Sequence, residues 1–185
     1  MAHGPRPKAH GPLASPPVEI SVRDAGPDDV DVLVALYREL EAEQAALRPL
    51  WPLADGLDEP VAESLAAAIG DGEVTVLVGM IDGHPLGFLH ASAEPLLAQA
   101  GGAQVGTVRL IYTDPAARGV GVGAAMMELA LGRMREAGLH WFDARVSPGH
   151  RSAKNFFEAH GFSARLIVMH HSDLDDGDEE IDFDG

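Results

Sequence analysis

The chain predicts an α/β domain with a single mixed, partly antiparallel sheet flanked by helices. Three observations carry that prediction. Hydrophobic periodicity alternates as β-α-α-β-β-β-α-β-α-β between Val18 and His171. Asp82-Gly83 parts two strand-like runs, a two-residue signal for a type I′ hairpin and hence for antiparallel pairing. A strand-like run over 108–113 enters a helix through a glycine-rich loop, the local plan of an anion seat.

Residues 1–17 are rich in Pro, Gly and Ala and carry Ala-His-Gly-Pro twice, from Ala2 and from Ala9. They show no apolar period and read as a disordered leader, with His3 and His10 in solvated tail. Over 18–23, Val18, Ile20 and Val22 alternate with polar residues, as in a half-buried strand. Pro27 with Asp28 and Asp29 suits a helix start, where proline loses no bond and acids meet the positive end. Val30, Leu33, Val34, Tyr37 and Leu40 then share one helical face, and the helix stops before Pro49. Trp51 lies in a proline-bracketed apolar loop, and a second helix is expected over 59–69.

The hairpin strands are expected at 74–81 and 86–91, with 93–106 a loop or a poorly formed strand end. After the 108–113 strand, a helix over about 120–137 places Met127, Leu131, Met134 and Ala137 on one face, a core stripe, and Gly138 closes it. A strand over 141–146 breaks at Ser147-Pro148-Gly149-His150. The next helix aligns Ala153, Phe156, Phe157 and His160, and a final strand is expected over 162–171. The folded domain thus spans 18–172, and 173–185 reads as an acidic disordered tail.

Composition narrows the function classes. The net charge is −16, of which eight charges lie in the tail, leaving −8 on the rest. That balance argues against nucleic acid and suits either a cationic partner, such as an amine, or solubility alone. There is no cysteine, hence no disulfide and no thiolate nucleophile. No run has the length or apolarity of a membrane span, and no apolar signal core precedes the domain. A cytoplasmic location is expected. His170 and His171 point to opposite strand faces, Asp143 and Arg145 read as a surface ion pair, and no metal-ligand spacing is present.

Tyr112 to Met127 is the stretch with the most chemistry. Glycines at 119, 121 and 123 stand where a helix begins, so backbone N–H groups and the helix dipole converge on an approachable surface. Arg118 adds a forked cation. A P-loop is excluded, because no Gly-Lys-Ser/Thr ending occurs. A dinucleotide fingerprint stays open: Gly119, Gly121 and Ala124 fit it, with Asp143 about 20 residues on. Against it, five residues separate the strand from the first glycine, and Asp143 sits inside a strand.

Arg118, Gly121 and Gly123 also meet the pattern Arg/Gln-x-x-Gly-x-Gly/Ala. Here the sequence resembles the GNAT superfamily of acyl-CoA-dependent N-acetyltransferases, over residues 18 to about 172. A second block, Phe157-Glu158-Ala159-His160-Gly161-Phe162, keeps the frame of the family's Tyr-Glu-x-x-Gly-Phe, with Ala153 four before the aromatic. Two positions depart: His150 replaces the usual Asn, and Phe157 replaces the Tyr that serves many such enzymes as general acid.

The resemblance implies acetyl-CoA as acyl donor substrate and an amine, cationic or neutral, as acceptor. It implies that Ile111, Tyr112 and Thr113 bind the pantetheine arm through the backbone. Arg118, Gly119, Val120, Gly121, Val122, Gly123 and Ala124 would hold the pyrophosphate. His150, Asn155 and Phe157 would line the far side of the cofactor, and Trp51 would wall an acceptor pocket or cover the core edge. Homodimers are common in the family. Catalytic groups are not assigned: Tyr112 offers a phenol but also suits a sheet aromatic, and His150 offers a donor or a proton relay. His90 and Glu94 read as solvated loop residues or as bases. The expected activity is N-acetyl transfer by direct attack in a ternary complex. The alternative is an acyl-CoA-binding sensor or interaction module that no longer catalyses.

Overall fold

The structure is a computed structural model and describes residues 18–47, 56–169 and 171. Strand β1 (Ile20–Asp24) leads through a 3-10 turn at Pro27–Asp29 into α1 (Val30–Leu47). Helix α2 (Val61–Gly70) follows, then β2 (Val74–Ile81), β3 (His84–Pro95) and β4 (Gln104–Thr113). Helix α3 (Val122–Glu136), β5 (Phe142–Ala144) and α4 (Arg151–Ala159) complete the order. The sheet runs β1-β2-β3-β4-β5. Each neighbouring pair is antiparallel except β4 and β5, which are parallel. This is the mixed, partly antiparallel sheet that the periodicity implies.

The strands' period of two sorts their side chains between two helical layers. Val76, Val78, Phe88 and Tyr112 pack on one face against Leu33, Tyr37 and Leu40 of α1 and Leu65 of α2. Leu77, Leu89 and Val108 pack on the other against Val122, Met126, Met127 and Ala130 of α3. Each such large side chain contributes about 1.5–3 kcal/mol on burial. Contact between α3 and the sheet is close enough that a Cβ on Gly79 would stand 2.6 Å from Val122 Cγ1 and 2.8 Å from Met126 Sδ. That spacing anchors the start of α3, and so the glycine loop before it.

Helix α1 begins as the acids and proline suggest, through a particular bond set. The buried Asp29 carboxylate accepts from the Gly26 N–H at 2.7 Å and from both Arg23 terminal nitrogens at 2.6 and 2.7 Å. At the hairpin, Asp82 and Gly83 both take positive φ, 49° and 78°, as the type I′ signal requires.

Several element boundaries differ from the sequence reading. Residues 93–95 and 104–106 extend β3 and β4, because they pair with each other from Ala93↔Gly106 to Pro95↔Gln104. The fifth strand keeps only three residues of the expected 141–146, and Trp141 is exposed. Ala137, expected on the core stripe of α3, is exposed beyond its last residue.

The final strand expected over 162–171 does not form: residues 162–169 have no regular structure, and Leu166, Ile167, Val168 and Met169 are exposed. β propensity cannot make a strand without a ladder partner, and the short β5 offers little edge. Asp143 does not pair with Arg145 either. It pairs with Arg165 of that last segment, while Arg145 pairs with Glu94 on β3. The expected leader, the tail from 173 and Trp51 lie outside the described residues. No helix among the described residues is long and apolar enough to cross a membrane.

Candidate active site

The site grows from a fault in β4. Across the β3–β4 ladder His90 faces Leu110 and Ala91 faces Val108, so Arg109 is an extra residue in β4. Such a bulge bends its strand and interrupts pairing. On the other side of β4, parallel pairing with β5 covers only Gly106↔Phe142, Thr107↔Asp143 and Val108↔Ala144. One further bond follows, from Arg145 N–H to Val108 C=O at 3.2 Å. Beyond Val108 the two strands part.

The parting leaves a strand edge open inside the domain. Asp114 N–H donates to Leu86 C=O at 2.8 Å, so Asp114, and by alternation Tyr112, turn their backbone groups toward β3. Ile111 and Thr113 therefore turn theirs into the gap. A cleft lies there, lined by Leu40 and Gln44 of α1, Arg109 to Ile111 of β4, Arg145 to Ser147, and His150, Ala153 and Phe157 at α4.

The gap leads to the glycine loop. None of the N–H groups from Gly119 to Ala124 has a hydrogen-bond partner among the described residues. Three of them open α3, where the helix cannot supply acceptors. Gly121 stands at the N-cap with φ 110° and ψ −2°. That is left-handed backbone that only glycine adopts without strain. A Cβ there would also come within 3.3 Å of Ile20 Cδ1.

Arg118 closes the loop's base. Its Nε donates to Thr113 C=O at 2.9 Å, and its Nη2 meets Glu43 Oε2 of α1 at 2.5 Å. The Arg118 bond first, and its charge, hold the Glu43 carboxyl below its usual range against the opposing effect of burial. Glu43 Oε1 lies 3.2 Å from His150 Nε2, and His150 Nδ1 lies 2.8 Å from Gln44 Nε2. Because the amide nitrogen can only donate, Nδ1 accepts and Nε2 carries the hydrogen toward Glu43. The last turns of α1 thus tie the loop after β4 to the start of α4, across the cleft.

Residues 35–162, more than half of the chain, match the family model described as Acetyltransferase (GNAT) family. The chain belongs to the GNAT family.

Solved structures agree with that membership at the level of fold. A transcriptional regulator from Bacillus halodurans C-125 superposes with a TM-score of 0.66 at 22% identity, covering 83% of this chain and 100% of its own. A predicted acetyltransferase from Clostridium acetobutylicum, solved with acetyl-CoA, gives 0.62 at 13% identity, covering 83% and 96%. The aminoglycoside N-acetyltransferase AAC(6')-Iy, solved with CoA, gives 0.67 at 16% identity, covering 88% and 100%. No curated protein matches the chain.

Within this GNAT domain the residues singled out from sequence fall into two groups. Ile111, Thr113 and the 118–124 loop follow one another along the gap, and His150 and Phe157 line the cleft. Tyr112, between Ile111 and Thr113 on β4, turns its backbone toward β3 and lies with its ring centroid 5.6 Å from the Arg118 guanidinium carbon. Its ring is 5% exposed on the α1 face beside Phe88, and its hydroxyl donates to Glu39 Oε2 at 3.2 Å. Burial first, then that bond and the nearby carboxylates, push its pKa up to about 12. Tyr112 is a sheet aromatic, and its phenol is poorly suited to proton donation at the cleft.

Asn155 lies on the exposed side of α4 and lines no part of the cleft. Phe157 is buried, edge-on to Phe156 and Phe162 at 5.4 Å each, which explains why an apolar ring is tolerated there. His90 is no loop residue: it is on β3, 6% exposed, with Nδ1 unpartnered. Burial first, and Arg109 second, lower its pKa to about 4, so it is neutral near pH 7. Glu94 is on β3 too, paired with Arg145 at 3.3 Å. Sequence reasoning missed Gln44, Glu43 and Arg109. On α1 the signal was present as polar residues at the helix's end, but only the fold brings them to the cleft.

Proposed function

We propose that this protein is an N-acetyltransferase that moves an acetyl group from acetyl-CoA to a primary amine by direct attack in a ternary complex. One observation carries the reading: a strand edge open at Ile111 and Thr113, where no strand pairs and only Arg118 bonds the Thr113 C=O, runs into a row of N–H groups at Gly119 to Ala124 that have no partner among the described residues. Pantetheine is peptide-like and would add to the edge as a strand does. The pyrophosphate would sit on the loop and helix start. The acetyl thioester would then lie near the bulge at Arg109, within the cleft. The amine nitrogen forms its bond to the carbonyl carbon, the C–S bond breaks, and sulfur leaves as thiolate. The proton lost by the amine balances that thiolate, through solvent or a cleft side chain. Positioning supplies most of the acceleration in such a reaction.

A second reading has its own support, an acyl-CoA binder without turnover. Phe157 has no proton to give, and the Tyr112 phenol is buried against α1 with its hydroxyl bonded to Glu39. Calorimetry with acetyl-CoA tests both readings at once, and absence of binding by folded protein rejects both. Thiol release over a broad amine panel separates them, since any saturable acceptor removes the binder.

A further inference from the structure

Four buried side-chain polar atoms lack a hydrogen-bond partner among the described residues: Gln44 Oε1, His90 Nδ1, Thr107 Oγ1 and Arg109 Nε. Buried polar atoms are nearly always satisfied, so each such exception needs a reason. These four stand on one side of the sheet. His90 shares its face with Phe88, which packs in the α1 layer, and Thr107 faces away from Val108, which packs on α3. The Arg109 Nη2 donates to Gly56 C=O at 2.6 Å, between α1 and α2, and Gln44 is on α1. They therefore lie on the α1–α2 side of the sheet, opposite α3, and Gln44 and Arg109 also line the cleft.

The charge there is unbalanced as well. Arg109 has no acidic partner among the described residues, whereas the neighbouring Arg145 is paired with Glu94. Among the described residues the cleft lining holds Arg109, Arg145 and His150 but no carboxylate, in a chain with 29 acidic and 13 basic residues. Arg109 is half-buried, its Nε is sealed from water without a partner, and the fork of a guanidinium matches a carboxylate.

We infer that the acceptor amine carries a carboxylate, which Arg109 takes as its counter-ion on the α1–α2 side of the bulge. The donors and acceptors fit a small amino acid or peptide terminus. Of the two that line the cleft, Arg109 donates to the carboxylate, and Gln44 Oε1 accepts from the amine. The inference rests on the acyl-transfer reading of the cleft and names its substrate class. The overall acidity of the chain points toward cations, and the local charge at the cleft reverses that preference.

The test uses amino acids and dipeptides, each against its C-terminal amide, with acetyl-CoA and constant ionic strength. Two quantities are read: the thermal midpoint and the kcat/KM for thiol release. Wild-type protein should gain about 2–4 °C from the carboxylates at concentrations several times their Kd. It should also prefer them over the amides about ten- to hundredfold. Arg109→Gln should bring that ratio close to one, and Arg109→Lys should restore part of it. A merely structural Arg109 would slow both members of each pair and leave the ratio standing, which overturns the inference. So does the lack of any carboxylate response in wild type. A second arm supplies succinyl-CoA with amines that lack a carboxylate. If the Arg109-dependent preference appears only there, the anion belongs to the acyl donor, and the acceptor assignment falls. Acetyl-CoA affinity is measured in the same samples: its absence removes the acyl-transfer reading itself, whereas its presence with no carboxylate preference removes only this inference.

Discussion

Lowering the pH from 7 to 5 should cost the domain about 2 kcal/mol through His90 alone. The side chain is 6% exposed, and burial with the adjacent Arg109 takes its pKa from 6.5 down to about 4. The unfolded chain therefore binds a proton on this group between those values, and the folded chain does not. Stability is full above the unfolded value and is lost as the pH falls toward the folded one. At pH 5 the two values imply about a thirtyfold bias toward the unfolded state, hence the figure above. The carboxyls of Asp24, Asp29 and Glu43, held low by their arginine partners, act in the same direction but only at more acid pH. Urea unfolding followed by circular dichroism at pH 7, 6 and 5 measures the slope. His90→Gln should flatten it, whatever its own stability at pH 7. Equal slopes in the two proteins would show that His90 is not held neutral, and the account of the buried cluster would fail with it.

Three further outcomes follow from the loop and the cleft. Gly121→Glu should weaken acetyl-CoA binding at least about a hundredfold by calorimetry, since it places a strained residue and a carboxylate where N–H groups converge. Its stability should fall by about 1–2 kcal/mol from the backbone alone. Glu43→Gln should tighten acetyl-CoA about threefold at low salt by releasing Arg118, with the gain fading as ionic strength rises. Phe157→Tyr should raise the rate of thiol release about tenfold or more while acetyl-CoA affinity stays within about threefold. An unchanged rate there would mean that thiolate protonation does not limit turnover.

Much of the fold was legible because its signals are local. The Asp82-Gly83 turn, the acids after Pro27 and the alternation in β2 each specify their element within a few residues. The glycine loop was legible for the same reason, as conformation and free N–H groups follow from residue type and position. What stayed hidden depends on partners distant in sequence. Residues 162–169 have the composition of a strand but no strand to pair with among the described residues, and β5 stops where the bulge turns β4 aside. Arg109 looks like any exposed strand residue until the bulge alters its direction. Asp143 and Arg145 look like a pair until Arg165 and Glu94 are brought beside them. Gln44 and His150 lie 106 residues apart, and no periodicity joins them.

The gap between β4 and β5 has a consequence for what the protein avoids. A bare strand margin on an outer rim invites another polypeptide to add itself, the first step toward aggregation. Here the bare margin lies at the bottom of a slot, with Gln44 of one helix and Ala153 of another on its sides. A folded neighbour's sheet is too broad to enter. A thin, flexible molecule with amide groups along its length could reach the bottom and pair there, so an enclosure that would admit such a guest also excludes sticky company.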